Sequence, residues 1–186
     1  MDRVLYILEN KKYTPKDVNY LKNKIKELNC PHGIRVATNH VELVVFCKDS
    51  EKIRNKITSI LGLRIIDLYI GEPEVKQGKE LEYFMDYINK ELFWLAHTFM
   101  EIPWRKYNDV TIQLVVLYMG ALAKAQENDV NAALNLFKMI KVLGKESNLL
   151  NYDCVLEEIN KILNGERTNA YRCINISELK KRLRYT

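Results

Sequence analysis

The stretch GEPEVKQGKE, residues 71–80, separates two parts of the chain that have different sequence patterns. Its glycines, its proline and its charged residues are typical of a linker. Before it, short runs rich in β-forming residues alternate with amphipathic helical runs. After it, the pattern is helical to the end of the chain. We therefore predict two domains, residues 1–71 and 81–186, joined by a linker at 72–80.

The first domain begins with the β-rich run RVLYILE, and its predicted elements follow the order βαββαβ. Thr14 and Pro15 suit the N-cap and the first turn of the first helix. Gly62 ends the second helix, and LRIIDLYIG supplies the fourth strand. This order is that of the split βαβ, or ferredoxin-like, fold. The predicted fold class is α+β, with a ferredoxin-like domain followed by an all-α helical bundle.

The predicted strands carry apolar residues at both alternating positions. In the first strand, Val4, Tyr6 and Leu8 alternate with Leu5 and Ile7, and LRIIDLYIG shows the same pattern. A strand with one wet face alternates apolar and polar residues, so this pattern indicates a sheet covered on both faces. We expect the second face to pack on the helical domain or on another copy of the chain.

The second domain is predicted to contain five helices. LEYFMDYINKELFWLAHTFMEI predicts one helix that is kinked or ends near Pro103. NDVTIQLVVLYMGALAKAQEN is apolar almost all round, which is typical of a central buried helix. Two amphipathic helices follow, DVNAALNLFKMIKVLG and LLNYDCVLEEINKILNG, each ending at a glycine. A short basic helix, ISELKKRLR, completes the bundle.

Composition and cysteine spacing exclude several classes of protein. Hydrophobic residues make up 47% and charged residues 28% of the chain, which excludes a disordered or fibrous protein. No apolar run approaches the ~20 residues of a membrane span, and the start lacks a signal-peptide pattern. The cysteines lie too far apart for zinc-ligand spacing; they are Cys30, Cys47, Cys154 and Cys173. We expect free thiols, no metal, no cofactor and a cytoplasmic location.

The net charge of +5 is carried by the two ends of the chain, whereas the middle is acidic. Such asymmetry can attract nucleic acid, but it also fits complementarity within the molecule or a dimer. The predicted third strand, VELVVFCKD, has Phe46 but lacks the aromatic signature of RNA-binding sheets. Nucleic-acid binding is therefore not favoured. Weak binding through basic surfaces such as the tail KKRLRYT remains a second alternative.

FWLAHTFMEIPWRK, residues 93–106, aligns polar and aromatic side chains along one helical stripe; they are Trp94, His97, Glu101, Trp104 and Arg105. A histidine and a carboxylate one turn apart can share a proton or offer two metal ligands, and an arginine can bind an anion. The same residues can instead form an interior polar network that fixes helix packing. We favour the network and predict no catalytic residue, because HExxH and glycine-rich phosphate loops are absent.

The motif HTFMEIPWR resembles the signature H-E-x-L-E-x-x-W-R of a prokaryotic helical family, the domain of unknown function family 309. The residues that match in register are His97, Glu101, Trp104 and Arg105. The resemblance extends over roughly residues 80–145 and does not include the first domain. Thr98 stands where the family usually has glutamate, and Pro103 interrupts the motif helix. The resemblance implies a helical fold and no particular activity.

The sequence favours a non-enzymatic module for self-association or partner binding. The surfaces predicted for it are the covered sheet face and the helical groove near Trp94 and Trp104. We expect a homo-oligomer or a protein partner and no membrane association. The alternative is an enzyme or small-ligand-binding protein that uses His97, Glu101 and Arg105.

Overall fold

A computed structural model of the chain describes residues 3–46, 50–71 and 78–184. The chain divides into two compact units. The first comprises residues 1–72 together with Gln126–Asn128, and the second comprises the remaining residues up to Thr186. Most of the predicted linker, residues 72–77, lies outside the described residues.

The first unit contains a four-stranded antiparallel sheet. Its strands are β1 (Arg3–Glu9), β2 (His32–Val36), β3 (His40–Phe46) and β4 (Ile65–Ile70), and its helices are α1 (Val18–Ile25) and α2 (Ser50–Leu61). The strand order across the sheet is β2-β3-β1-β4. In this register Tyr6 at the centre of β1 lies opposite Leu43 on β3 and Leu68 on β4. The predicted βαββαβ order of elements is confirmed.

One face of the sheet packs with the two helices to form the core of the first unit. Its buried side chains include Val4, Tyr6, Leu8, Ile34, Leu43, Leu21, Ile25 and Ile57. A short 3₁₀ turn, Pro15–Asp17, leads into α1. The backbone N–H and the hydroxyl of Thr14 both donate to the Asp17 carboxylate, at 2.8 and 3.0 Å. This pairing satisfies groups that the helix start would otherwise leave open.

The opposite positions of β1 and β3 are also buried, as the two-sided apolar pattern predicts. Leu5, Ile7 and Val44 are buried there. In β4, by contrast, Ile66, Leu68 and Ile70 are exposed, although Leu68 and Ile70 pair with Tyr6 and Val4 on the helix-covered face. This strand lies at the edge of the sheet, and its pairing with β1 shifts register next to Ile7. Edge position, rather than sequence pattern, leaves these residues open to solvent.

Among its described residues, the second unit contains six α-helices. They are α3 (Glu80–Asn89), α4 (Phe93–Tyr107), α5 (Val110–Gln126), α6 (Val130–Leu143), α7 (Tyr152–Leu163) and α8 (Ile176–Arg184). The last residue of α5, Gln126, falls in the first unit. The prediction of a buried helix is confirmed for α5, since Leu114, Val115, Tyr118 and Leu122 have no exposed surface.

The single helix predicted over residues 81–102 is wrong. The chain leaves α3 at Lys90, and Glu91 adopts the left-handed conformation with φ of 57°. The Glu91 N–H donates to Ile88 O and the Leu92 N–H donates to Tyr87 O, which is the Schellman pattern of a helix end. The helix also does not end near Pro103, because this residue lies inside α4, which continues to Tyr107; a kink at Pro103 stays a prediction.

The expectation of free thiols is wrong as well. Cys154 in α7 and Cys173 form a disulfide, with their Cα atoms 5.4 Å apart. Cys30 is also disulfide-bonded. Cys173 belongs to a 3₁₀ turn, Ala170–Cys173, that leads toward α8. Sequence spacing did not reveal this pairing because the two cysteines meet only through the fold. Among the described residues, no helix has the length and apolar character needed to cross a membrane.

Candidate functional site

The predicted stripe lies on α4, where residues one turn apart bring three polar side chains into a row. His97 Nε2 is 3.6 Å from Glu101 Oε1, and Arg105 Nη2 is 3.0 Å from Glu101 Oε2. The exposed fractions of their side chains are 17% for His97, 25% for Glu101 and 70% for Arg105. The row therefore runs from a mostly buried histidine to an exposed arginine. The interior polar network that the sequence favoured stays a prediction.

His97 is oriented by α5. Its Nδ1 lies 2.9 Å from the carbonyl oxygen of Val116. Because a carbonyl only accepts, Nδ1 carries the hydrogen, and in the neutral ring the lone pair is on Nε2. Gly120 permits this approach, since a Cβ at that position would lie 3.3 Å from His97 Nδ1. The partner carbonyl and the glycine come from another helix, so the spacing of α4 alone does not reveal them.

The two tryptophans of the stripe have different surroundings. The Trp94 ring stacks on the His97 imidazole, with centroids 5.0 Å apart and planes inclined by 23°. The Trp104 indole N–H is buried and has no hydrogen-bond partner among the described residues. Thr98, at the position where the resembled family has glutamate, donates to Trp94 O at 2.9 Å. Its hydroxyl is therefore used inside the helix and does not extend the row.

The row of α4 brings an imidazole nitrogen and a carboxylate oxygen to 3.6 Å from each other, and both side chains are partly exposed. Their separation exceeds hydrogen-bond range, so each group can engage a ligand. Two such donors do not complete a metal site. In the described part of the chain, potential metal ligands gather in a group of three at Cys154, Glu158 and Cys173. The two sulfurs are bonded to each other there, so they offer no thiolate to a metal.

A second polar cluster, which sequence analysis missed, holds the irregular segment 167–173. Glu158 in α7 is fully buried. Its carboxylate accepts the Asn169 N–H at 2.6 Å and the Arg172 Nε–H at 2.9 Å, and Lys161 donates to it at 3.0 Å. The adjacent Glu157 binds Lys161 and Arg172 too, and these two cations lower the pKa of its carboxyl. The two carboxylates and two cations form one ion-pair network.

Two more buried groups hold the same segment. The Glu91 carboxylate accepts from the backbone N–H and the hydroxyl of Thr168, at 3.1 and 3.2 Å. The Tyr118 hydroxyl donates to Ala170 O at 3.1 Å, and burial raises the pKa of Tyr118 well above its ordinary value. No short motif links these residues, which lie up to 77 positions apart in sequence. What sets Glu91 and Glu158 apart from other glutamates is their burial, because glutamate side chains are mostly exposed in proteins.

The first unit has its own buried charges on β2 and β3. Arg35 Nη1 lies 3.1 Å from Glu42 Oε2, and Arg35 Nε lies 3.0 Å from Glu127 Oε1. His40 Nε2 is 3.6 Å from the other oxygen of Glu42. Burial alone would raise the pKa of the Glu42 carboxyl, but His40 and the Arg35 guanidinium outweigh it and lower that pKa. The side chains of Arg35, Glu42 and His40 are at most 7% exposed, so this cluster presents little surface to a ligand.

Comparison of the chain with protein-family models, with curated proteins and with solved structures finds no match. The resemblance of residues 80–145 to the helical family of unknown function therefore stays a prediction.

Proposed function

We propose that this protein is a non-enzymatic self-association module and that its partner is a second copy of the same chain. One observation carries the proposal: β4 is an edge strand with a row of exposed apolar side chains. The exposed fractions are 48% for Ile66, 39% for Leu68 and 65% for Ile70. The sheet face expected from the sequence does not serve, because Leu5, Ile7 and Val44 are already buried in the single chain.

The outer edge of β4 suits pairing with another strand. The Gly71 N–H donates to Arg3 O, so the backbone groups of Tyr69 and Asp67 also turn toward β1, up to the register shift. Leu68 and Ile70 then present their backbone groups outward. An edge strand with outward backbone groups and apolar side chains is a template for strand addition.

A two-fold axis through Leu68 gives a complementary register. Leu68 then faces its own copy, Ile66 faces Ile70, and Asp67 faces Tyr69. Apolar side chains then contact apolar side chains. Two carboxylates directly opposite each other would be destabilising, and this register keeps the two Asp67 side chains apart. The Leu68 N–H donates at 2.8 Å to Asp67 Oδ1, so this side chain must release the N–H for pairing. Asp67 thereby limits the strength of association.

Sedimentation velocity over a range of protein concentrations tests the proposal. We expect a reversible dimer in the parent. Leu68→Lys should weaken it by more than about ten-fold, because two lysines then lie opposite each other across the axis. Asp67→Ala should tighten it, because the outward N–H of Leu68 becomes available.

The matched control is Val142→Lys on α6, which places the same charge on another exposed apolar position. It should leave the dimer unchanged. A chain that stays monomeric even as Asp67→Ala would overturn the proposal. A dimer insensitive to Leu68→Lys would place the interface elsewhere and would equally reject β4.

We further infer that the first unit has the ferredoxin-like fold, which the antiparallel order β2-β3-β1-β4 supports.

A cytoplasmic location is also a proposal. It has lost the support of free thiols, since disulfides are rare in most reducing cytosols. Cell fractionation tests this location. We expect the protein in the cytosolic fraction with the Cys154–Cys173 bond intact, and recovery outside that fraction would contradict the location.

A second candidate function is small-ligand binding or proton transfer at His97, Glu101 and Arg105. It is favoured by the lone pair on His97 Nε2 beside a partly exposed carboxylate. Titration with inorganic phosphate, followed by ¹⁵N NMR of the imidazole, should shift the Nε2 resonance in the parent and less in Arg105→Gln. Equal shifts in both proteins would remove Arg105 from the site.

A further inference from the structure

The second unit has a cavity of about 470 Å³ between the end of α3 and segment 167–171. Its lining consists of Ile88, Asn89, Arg167, Thr168, Asn169, Ala170 and Tyr171. Cavities of a few hundred Å³ are the usual size of small-molecule sites. We propose that this cavity binds a small organic carboxylate, a role separate from self-association through β4.

Buried side chains hold one wall of the cavity, segment 167–171, in place. Glu91 occupies the left-handed position that ends α3, where glycine is the usual residue. A non-glycine residue is strained in that conformation. Its carboxylate, however, binds both the N–H and the hydroxyl of Thr168 in the cavity wall. The helix end is thereby linked directly to the segment opposite it.

The rest of the wall is fixed in the same way. The Asn169 N–H donates to the buried Glu158 carboxylate, and Ala170 O accepts from the buried Tyr118 hydroxyl. Two residues further on, the segment is joined to α7 by the disulfide of Cys173. Consecutive residues of an irregular segment are therefore each anchored from behind. A wall fixed before binding reduces the entropy that a ligand must overcome.

The cavity carries one positive charge that a ligand can bind. The lining has one cationic residue, Arg167, and no acidic residue. The nearby carboxylates of Glu91 and Glu158 are already engaged by the wall itself. Arg167 is exposed and has no hydrogen-bond or ion-pair partner among the described residues. Its planar fork is suited to bidentate binding of a carboxylate.

The apolar contacts in the lining indicate the shape and polarity of the ligand that the cavity can bind. Ile88 and Ala170 are buried and leave little surface to a ligand, so Tyr171, which is 42% exposed, supplies most of the accessible apolar contact. The side chains of Asn89 and Asn169 add amide donors and acceptors. One guanidinium beside one aromatic ring favours a monoanion with a planar apolar body. A compact dianion such as phosphate would leave the aromatic ring unused.

The test is a titration with benzoate, followed by amide chemical shifts in ¹H–¹⁵N NMR spectra of the full chain. We expect saturable shifts confined to residues 88–89 and 167–171. Arg167→Gln should weaken binding by about ten-fold, because it removes a charge-assisted pair of hydrogen bonds. Tyr171→Ala, at another exposed position, should weaken it as well without affecting the fold.

The matched control is Arg64→Gln, which removes the same charge from an exposed arginine in the first unit. Its affinity for benzoate should equal that of the parent. Shifts that do not saturate at several millimolar, or that persist equally in Arg167→Gln, would overturn the proposal. Tighter binding of inorganic phosphate than of benzoate would reject the organic carboxylate as the ligand class.

Discussion

Two substitutions of Glu91 distinguish the free-energy cost of its left-handed backbone from the stability that its side-chain contact contributes. The carboxylate makes two hydrogen bonds through one oxygen to Thr168, and we assign this contact about 2 kcal/mol, as for a hydrogen bond to a charged acceptor. The left-handed backbone costs a non-glycine residue about 1 kcal/mol. Glu91→Ala loses the contact and keeps the strain, so it should destabilise the protein by about 2 kcal/mol. Glu91→Gly also relieves the strain, so it should cost only about 1 kcal/mol.

Urea denaturation of the parent and both variants measures these differences. The decisive comparison is between the variants, because both lack the carboxylate and differ mainly in backbone freedom. Glu91→Gly must be the more stable of the two. If glycine were as destabilising as alanine, the strain would be absent. If both variants matched the parent, the contact with Thr168 would add nothing to stability.

Three further predictions concern other parts of the molecule. Replacing Cys154 and Cys173 by serine should lower the free energy of unfolding by about 3 kcal/mol, since the bond closes a loop with a sequence separation of 19; unchanged urea midpoints would contradict this. The lowered pKa of Glu42 stabilises the fold above the ordinary value of 4.5, and this stability is lost as pH falls through the lower folded-state pKa. The gap in melting temperature between the parent and Glu42→Gln should therefore shrink on acidification, and a constant gap would refute it. Gly120→Ala should lower the melting temperature when His97 is present, because the added Cβ contacts the imidazole ring. In a His97→Ala background the same substitution should raise the melting temperature, because alanine favours a helix. A change in melting temperature of the same sign in both backgrounds would exclude the contact.

Local patterns in the sequence predicted most of the elements. The β-rich run at Arg3–Glu9 and the nearly continuous apolar run of α5 have strong periodic signals, and both elements form where expected. The break at Glu91 has no such signal, because glutamate rarely takes the left-handed conformation. Its side chain is held by Thr168, which lies far along the chain. Tertiary contacts of this kind override local preference and are invisible to a periodic pattern.

The candidate site was predictable to the same extent. Helical spacing correctly placed His97, Glu101 and Arg105 in one row. It did not show that the row reaches solvent, because exposure depends on which helices surround α4. It also did not show the carbonyl of Val116, which fixes the histidine ring from α5. The cavity at Arg167 was missed because its lining comes from a helix end and an irregular segment with no shared motif.

The disulfide changes what a proteolytic cut does to the second unit. Gly165, Glu166 and Arg167 are exposed and lie between Cys154 and Cys173. A trypsin cut after Arg167 therefore falls inside a covalently closed ring. The two fragments remain one molecule on a non-reducing gel, and α8 stays attached to α7 through sulfur. Only reduction after the cut releases the C-terminal fragment. Loss of α8 from the second unit therefore requires both hydrolysis of a peptide bond and reduction of the disulfide.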